Sequence, residues 1–145
     1  MLIDSAPLLR AAVPEDVHAV VALKREVLLA DLDRLGIWDE DRSRERVEHY
    51  FAPERTRMIV LDDRVVGTVS VRPAPDGTWL EMFYLRADVQ GRGIGTRVLQ
   101  ALLAETPGIW RPQVLCGSPA RSLYERHGFV AVEDDGIDVW MVRTG

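Results

Sequence analysis

The stretch that most limits what this chain can become runs from Leu85 to Arg97. There an apolar, aromatic segment gives way to Gly91-Arg92-Gly93-Ile94-Gly95 and then to a helical repeat. A strand that feeds a glycine turn and opens a helix has a defined physical consequence. Glycines accept positive φ and let backbone N–H groups come close to a ligand, and a helix N-terminus adds about half a unit of positive charge. Arg92 and Arg97 stand on either side of the junction. The segment therefore reads as an anion cradle; the plainer alternative is that its glycines only make a tight strand-to-helix turn. Two phosphate-binding patterns are excluded. A dinucleotide fingerprint starting at Gly91 needs glycine where Thr96 stands, and the Gly-Lys-Ser/Thr ending of a nucleotide phosphate loop is missing.

The residues on either side place this junction in a mixed α/β layout. A short strand is expected at Leu8–Ala11, followed by a helix from about Glu15 to Ala30. Pro14-Glu15-Asp16 supplies the start signal, and Val17, Val20, Val21, Val27 and Leu28 recur at helical spacing. A loop with Asp31, Asp33, Gly36 and Trp38 leads to a second helix near Asp41–Phe51, closed by Pro53. The period then changes. Arg57–Leu61 and Val65–Val71 form a hairpin around Asp62-Asp63-Arg64, and Thr78–Leu85 follows a break at Pro73–Gly77. After the glycine turn comes a helix with Ile94, Val98 and Leu102 facing a core, stopping before Pro107-Gly108. Gln113–Cys116 is the next strand. Ser118-Pro119 starts a helix that ends at His127-Gly128, and Phe129–Glu133 and Ile137–Val142 form a final strand pair. The order is β-α-α-β-β-β-α-β-α-β-β, with no linker and no internal repeat.

Composition sets the outer limits. A chain of 145 residues, 47% apolar and 28% charged, is expected to be one globular domain spanning 1–145. Its 18 Lys and Arg against 23 Asp and Glu give a net charge of −5, which argues against nucleic acid or an anionic membrane as general partners. The single cysteine, Cys116, excludes an internal disulfide framework and fits a reducing compartment, so a cytoplasmic location is expected. No apolar run approaches the ~18 residues of a membrane span, and the start of the chain lacks the features of a secretory signal. His18, His49 and His127 are far apart, so no metal site is expected. Cys116 lies in an apolar run and reads first as a small core residue, with a nucleophile as the weaker alternative.

The pattern Gln90-x-x-Gly93-x-Gly95 at a strand–helix junction resembles the acyl-CoA-binding loop of the GNAT superfamily of N-acyltransferases. Upstream, Leu80-Glu81-Met82-Phe83-Tyr84-Leu85-Arg86 is similar to that family's fourth strand. Downstream, Ser118 to Phe129 resembles its closing segment, a helix ending in Tyr-x-x-x-Gly-Phe. The element order agrees over nearly the whole chain. The resemblance implies a mixed, mostly antiparallel central sheet of about six or seven strands flanked by about four helices, the acyl-CoA N-acyltransferase fold.

It also implies a site. Gln90, Gly91, Arg92, Gly93, Ile94, Gly95 and Thr96 would bind the CoA pyrophosphate through backbone amides. Phe83, Tyr84 and Leu85 would offer backbone groups to the pantetheine arm and the thioester carbonyl. Tyr124 falls where the family places a general acid near the CoA sulfur; the alternative is a tyrosine that only packs, its hydroxyl satisfied. Glu81 is the base candidate, acting through water, against a solvated strand carboxylate. Ser118 stands where the family often has Asn. It still suits a helix cap, while its contact with CoA is put in question, and Ala87 stands where many relatives have proline.

The expected activity is transfer of an acetyl or related acyl group from acetyl-CoA, with no metal, to a primary amine by direct attack in a ternary complex. The acceptor would be a small-molecule or protein amine. Asp31 and Asp33 are candidates for attracting a cationic amine, or are simply solvated loop acids, and Trp38 is a candidate for lining the acceptor pocket. A homodimer is compatible with the resemblance. The alternative function is a non-catalytic, acyl-CoA-binding regulatory module.

Overall fold

A computed structural model describes residues 6–145. Seven strands form one sheet: β1 (Leu8–Ala11), β2 (Thr56–Leu61), β3 (Arg64–Ala74), β4 (Gly77–Leu85), β5 (Trp110–Leu115), β6 (Val130–Asp134) and β7 (Asp138–Val142). Their order is β1-β2-β3-β4-β5-β7-β6. Every neighbouring pair is antiparallel except β4 and β5, which run parallel. Four helices complete the fold: α1 (Val17–Arg34), α2 (Glu40–Tyr50), α3 (Ile94–Glu105) and α4 (Ala120–Glu125). This is the expected mixed, mostly antiparallel architecture, with the expected element order.

The period-2 alternation of the central strands feeds two cores. Met58 joins Val20, Leu23 and Val47 under α1 and α2, whereas its neighbours Ile59 and Leu61 join the larger cluster with Ile94, Val98, Leu99 and Leu102 of α3. The two helical layers therefore cover opposite faces of the sheet. A helix of 18 or more residues apolar enough to cross a membrane is absent among the described residues.

Three boundaries differ from expectation for physical reasons. The first helix does not stop at Ala30 but continues to Arg34, so Asp31 and Asp33 lie on its last turns rather than in a loop. The stop signal is Gly36, at φ +75. Its N–H bonds to the Asp33 carbonyl at 2.9 Å and the Ile37 N–H to that of Leu32 at 2.9 Å, the paired bonds of a Schellman terminator. β3 runs through Pro73 to Ala74, leaving Pro75-Asp76 as a tight turn before Gly77. β5 starts at Trp110, ahead of the expected Gln113, and excludes Cys116. Its first residues pair with β4, and those from Gln113 onward pair with β7.

Candidate active site

The site begins with an interruption in β4. Ser70 pairs with Glu81 but Thr68 pairs with Tyr84, so Met82 and Phe83 stand opposite the single residue Val69. This is a β-bulge, and it holds Met82 at φ +48. On the other side of β4 the parallel ladder with β5 covers only Thr78–Leu80 against Trp110–Pro112. Pro112 has no N–H to continue it. The two strands therefore part beyond Leu80, leaving the backbone from Glu81 to Leu85 unpaired toward β5.

The glycine turn lies directly beyond the strand end. Gly91 and Gly93 take φ +77 and +79, and Gly93 caps α3 without any side-chain cap. Among the described residues no backbone N–H from Gly91 through Thr96 has a protein acceptor; the first helical bond outside α3 proper is Arg97 N–H to Gly93 O at 3.1 Å. A Cβ on Gly91 or Gly93 would meet nothing within 4 Å, whereas one on Gly95 would press on Leu85 at 3.3 Å and Leu123 at 3.4 Å. The cradle is open at its mouth and closely packed at its base. Two contacts hold it in place. Gln90 Nε2 donates to the Leu85 carbonyl at 2.9 Å, and Glu26 of α1 accepts the Ala87 N–H at 2.7 Å.

A groove of about 380 Å³ runs from this turn to Tyr124. Leu85, Gln90, Gly93, Thr96, Leu123 and Arg126 are among the residues that line it. A second cleft, of about 630 Å³, opens on the α1–α2 face and carries Glu81, Tyr84, Arg72 and Ser70. Val27, Phe83, Ser118, Ala120 and Tyr124 belong to both, so the two spaces meet where Tyr124 stands. Tyr124 is 4% exposed and its ring packs on Phe129. Its hydroxyl makes no hydrogen bond to protein among the described residues, which is not what a purely packing tyrosine would do. Burial, and then the neighbouring Tyr84, push its phenol above the ordinary range. Tyr84 is raised in the same way, chiefly by burial. Both therefore stay protonated at neutral pH.

Other expected site residues are placed as follows. Glu81 is half-exposed and gripped by Arg72, whose Nε and Nη2 donate to its two carboxylate oxygens at 2.9 and 3.3 Å. Ser118 Oγ accepts the N–H of Ala120, the first residue of α4, at 3.2 Å, and Ser118 lines both spaces. The Ile94 side chain is buried in the core, and only its backbone belongs to the cradle. Arg92 is exposed beside the turn. Asp31 lines the groove of the glycine turn and pairs with Arg34 at 3.3 Å. Neither Asp33 nor Trp38 lines the groove or the cleft. The thiol of Cys116 donates to Asp134, and burial followed by that carboxylate raises it, the opposite of an activated nucleophile. Among the described residues no group of three or more His, Cys, Asp or Glu could hold a metal.

Several lining residues have no counterpart in the sequence reading. Lys24 and Arg46 on the cleft come from helices read only for their apolar stripe, Arg55 from the break after the second helix, and Arg126 on the groove from the closing segment, where it was given no role. Arg46 and Arg55 fall within or just after a strongly charged helix, where nothing in the spacing marks which charges turn toward a cavity.

The seven-stranded sheet, splayed between β4 and β5 over a glycine turn, is the acyl-CoA N-acyltransferase fold. The family described as "Acetyltransferase (GNAT) domain" matches residues 53–131, so the chain belongs to the GNAT acetyltransferases. No curated protein matches it significantly. Solved structures share its fold at low identity. The PaiA N-acetyltransferase of Thermoplasma acidophilum, solved with coenzyme A, aligns with TM-score 0.73 and 18% identity over 97% of this chain and 99% of its own. An acetyltransferase from Thermus thermophilus aligns with TM-score 0.76 and 19% identity, over 99% and 100%. An N-acetyltransferase from Staphylococcus aureus gives TM-score 0.71 and 17% identity, over 93% and 98%.

Proposed function

We propose that this chain, as one domain over residues 1–145, is a cytoplasmic N-acetyltransferase that joins an acyl-CoA and a primary amine in a ternary complex. The observation that carries the reading is the meeting of two spaces at one tyrosine whose hydroxyl, among the described residues, has no protein partner. The residues fit acetyl-CoA: six consecutive N–H groups without acceptors among the described residues, at an α-helix N-terminus, suit a pyrophosphate. When bound, acetyl-CoA supplies a thioester whose C–S bond breaks as the amine forms a C–N bond, the amine losing a proton and the sulfur leaving as a thiol.

The chain's own groups divide this work. The amides of Gly91 to Thr96 hold the anionic end, with Arg92, Arg97 and Arg126 adding positive charge. The unpaired β4 backbone around Phe83 to Leu85 offers donors and acceptors to an extended arm and to an oxygen that gains negative charge. Tyr124, protonated across the physiological range, donates the proton taken by the sulfur. Glu81 accepts the amine proton through water. Arg72 binds both of its oxygens but leaves lone pairs on each, since a carboxylate offers about four acceptor sites.

The test is an assay of CoA release from acetyl-CoA across a panel of primary amines. Amine-dependent release with a stoichiometric N-acetyl product supports the reading. Tight CoA binding with no acceptor above the rate of hydrolysis overturns it and leaves a regulatory acyl-CoA-binding module.

A further inference from the structure

The cleft on the α1–α2 face carries more positive than negative charge, although the chain as a whole is acidic. Lys24, Arg46, Arg55 and Arg72 line it, against Glu81 and Asp138. Arg72 and Glu81 are committed to each other. Among the described residues Lys24, Arg46 and Arg55 have no carboxylate within ion-pair distance. Lys24 is the most telling of these, being only 8% exposed. Its one hydrogen bond is a long 3.3 Å contact from Nζ to the Ser43 carbonyl. A buried ammonium without a counter-charge is costly, and an adjacent guanidinium makes it more so. Arg46 is that neighbour, and it lies over the face of Tyr50 at the cleft's edge. Buried Lys24, with the exposed guanidiniums of Arg46 and Arg55 on the same cleft, leaves an excess of positive charge that an anion entering with the ligand would relieve. Glu81 and Tyr124, on the lining of the same cleft, suit an amine.

We infer that the acceptor is a small molecule carrying an anionic group, a carboxylate or phosphonate, on the same skeleton as its amine, the anion facing Lys24, Arg46 and Arg55. The inference rests on the acyltransferase reading for the amine's fate, but not for the recognition of the anion. A space of about 630 Å³ holds such a molecule. Of the acids in the cleft, Glu81 is paired with Arg72, leaving Asp138 alone against Lys24, Arg46 and Arg55, while Asp31 faces the groove of the glycine turn and Asp33 is exposed outside both spaces.

Matched pairs test this directly. Methionine against methioninamide, and 2-aminoethylphosphonate against ethanolamine, are compared for CoA release, with putrescine as a dication and an acidic peptide as a macromolecular acceptor. The acids are expected to exceed their uncharged partners by about tenfold or more in kcat/KM. Equal rates, or preference for the amide, the dication or the peptide alone, overturn the inference. The same pairs are titrated calorimetrically into the CoA-bound protein. Tighter binding of the acid without any turnover would sink the acyltransferase reading yet uphold the anion site; equal binding would sink the anion site. Arg46→Gln and Arg55→Gln should collapse the acid-to-amide ratio toward one, while Arg25→Gln, which breaks a surface pair with Glu40, should leave it. A ratio unmoved by either cleft variant also overturns the assignment.

Discussion

The backbone N–H of Phe129 donates to the carbonyl of Tyr124 at 3.1 Å, and the two rings pack with centroids 5.3 Å apart. Gly128, at φ +87, adds a bond from its N–H to the Glu125 carbonyl at 3.2 Å. Together these are the two bonds and the apolar contact of a Schellman terminator. The Tyr-x-x-x-Gly-Phe pattern thus has a structural cause of its own: an aromatic at each end of the motif and a glycine in the left-handed position between them. That cause accounts for the ring of Tyr124 and leaves its hydroxyl unexplained.

Removing only the hydroxyl should therefore separate the two roles. Tyr124→Phe is expected to keep stability within about 0.5 kcal/mol, because no protein hydrogen bond is lost. Its kcat should fall by about 100-fold or more if the phenol delivers the proton. Denaturant unfolding and steady-state kinetics over pH check both; an unchanged kcat at every pH removes Tyr124 from the proton transfer. Tyr124→Ala should instead cost about 3 kcal/mol, as the ring's packing on Phe129 goes with it.

Gly128 bears the conformational load of the same motif. A Cβ there has nothing closer than Arg143 Nε at 3.8 Å, so the penalty is one of φ rather than of space. Gly128→Ala is expected to destabilise by about 1–2 kcal/mol with KM for acetyl-CoA little changed. A stability equal to that of the parent protein would show that the terminator relaxes without cost.

Much of the fold was legible because its signals are local. The glycine turn, the Ser118-Pro119 helix start and the Asp62-Asp63-Arg64 hairpin each act within a few residues. What was not legible depends on tertiary context. The bulge at Met82 uses no glycine, and the parting of β4 from β5 depends on which strand Pro112 happens to face. Gly36 read as part of one loop with the acids before it, although Asp31 and Arg34 can pair at i and i+3 on a helix and Gly36 is its terminator. The glycine turn was readable because left-handed backbone leaves glycines in the sequence. The charged lining of the α1–α2 cleft was not, since it depends on which of many surface charges the fold brings together.

The glycine turn predicts a loss of binding without a loss of fold. Gly93→Ala places a Cβ at φ +79 in the open mouth of the cradle, where the protein offers no clash. The expected fold penalty is about 1–2 kcal/mol. Reorientation of the free amides should weaken CoA binding by about tenfold or more. Calorimetry against CoA measures it, and wild-type affinity would place the anion elsewhere.

Asp16 gives a pH signature at the start of α1. Hydrogen bonds from Arg10, and the Val13 N–H at 2.8 Å, hold its carboxyl below the ordinary value of 3.8. A depressed acid contributes stability that is present above that ordinary value and lost as pH falls through the lower folded one. Asp16→Asn should thus be less stable than the parent by about 0.5–1 kcal/mol at pH 7, with the gap closing as pH drops below 3.8. A gap that persists in strong acid would point to lost geometry rather than lost charge.

Lys24 should show the reverse relation between stability and function. Burial, and secondarily Arg46, lower its pKa from 10.5, so the charged side chain costs stability at neutral pH and the cost eases as pH rises. Replacing it with an apolar residue of similar length removes that cost and gives up only the long contact to Ser43. Lys24→Met is therefore expected to be more stable than the parent by about 1 kcal/mol at pH 7, with a smaller advantage at pH 10. Its KM for an anionic acceptor should rise at the same time, while KM for acetyl-CoA stays near the parent value, because Lys24 lines the α1–α2 cleft and not the groove of the glycine turn. A buried charge kept at the expense of stability makes sense if it recognises a ligand. Thermal unfolding at the two pH values, with KM measured for both substrates, checks the pairing; a variant less stable at both would show that Lys24 is held in place for packing.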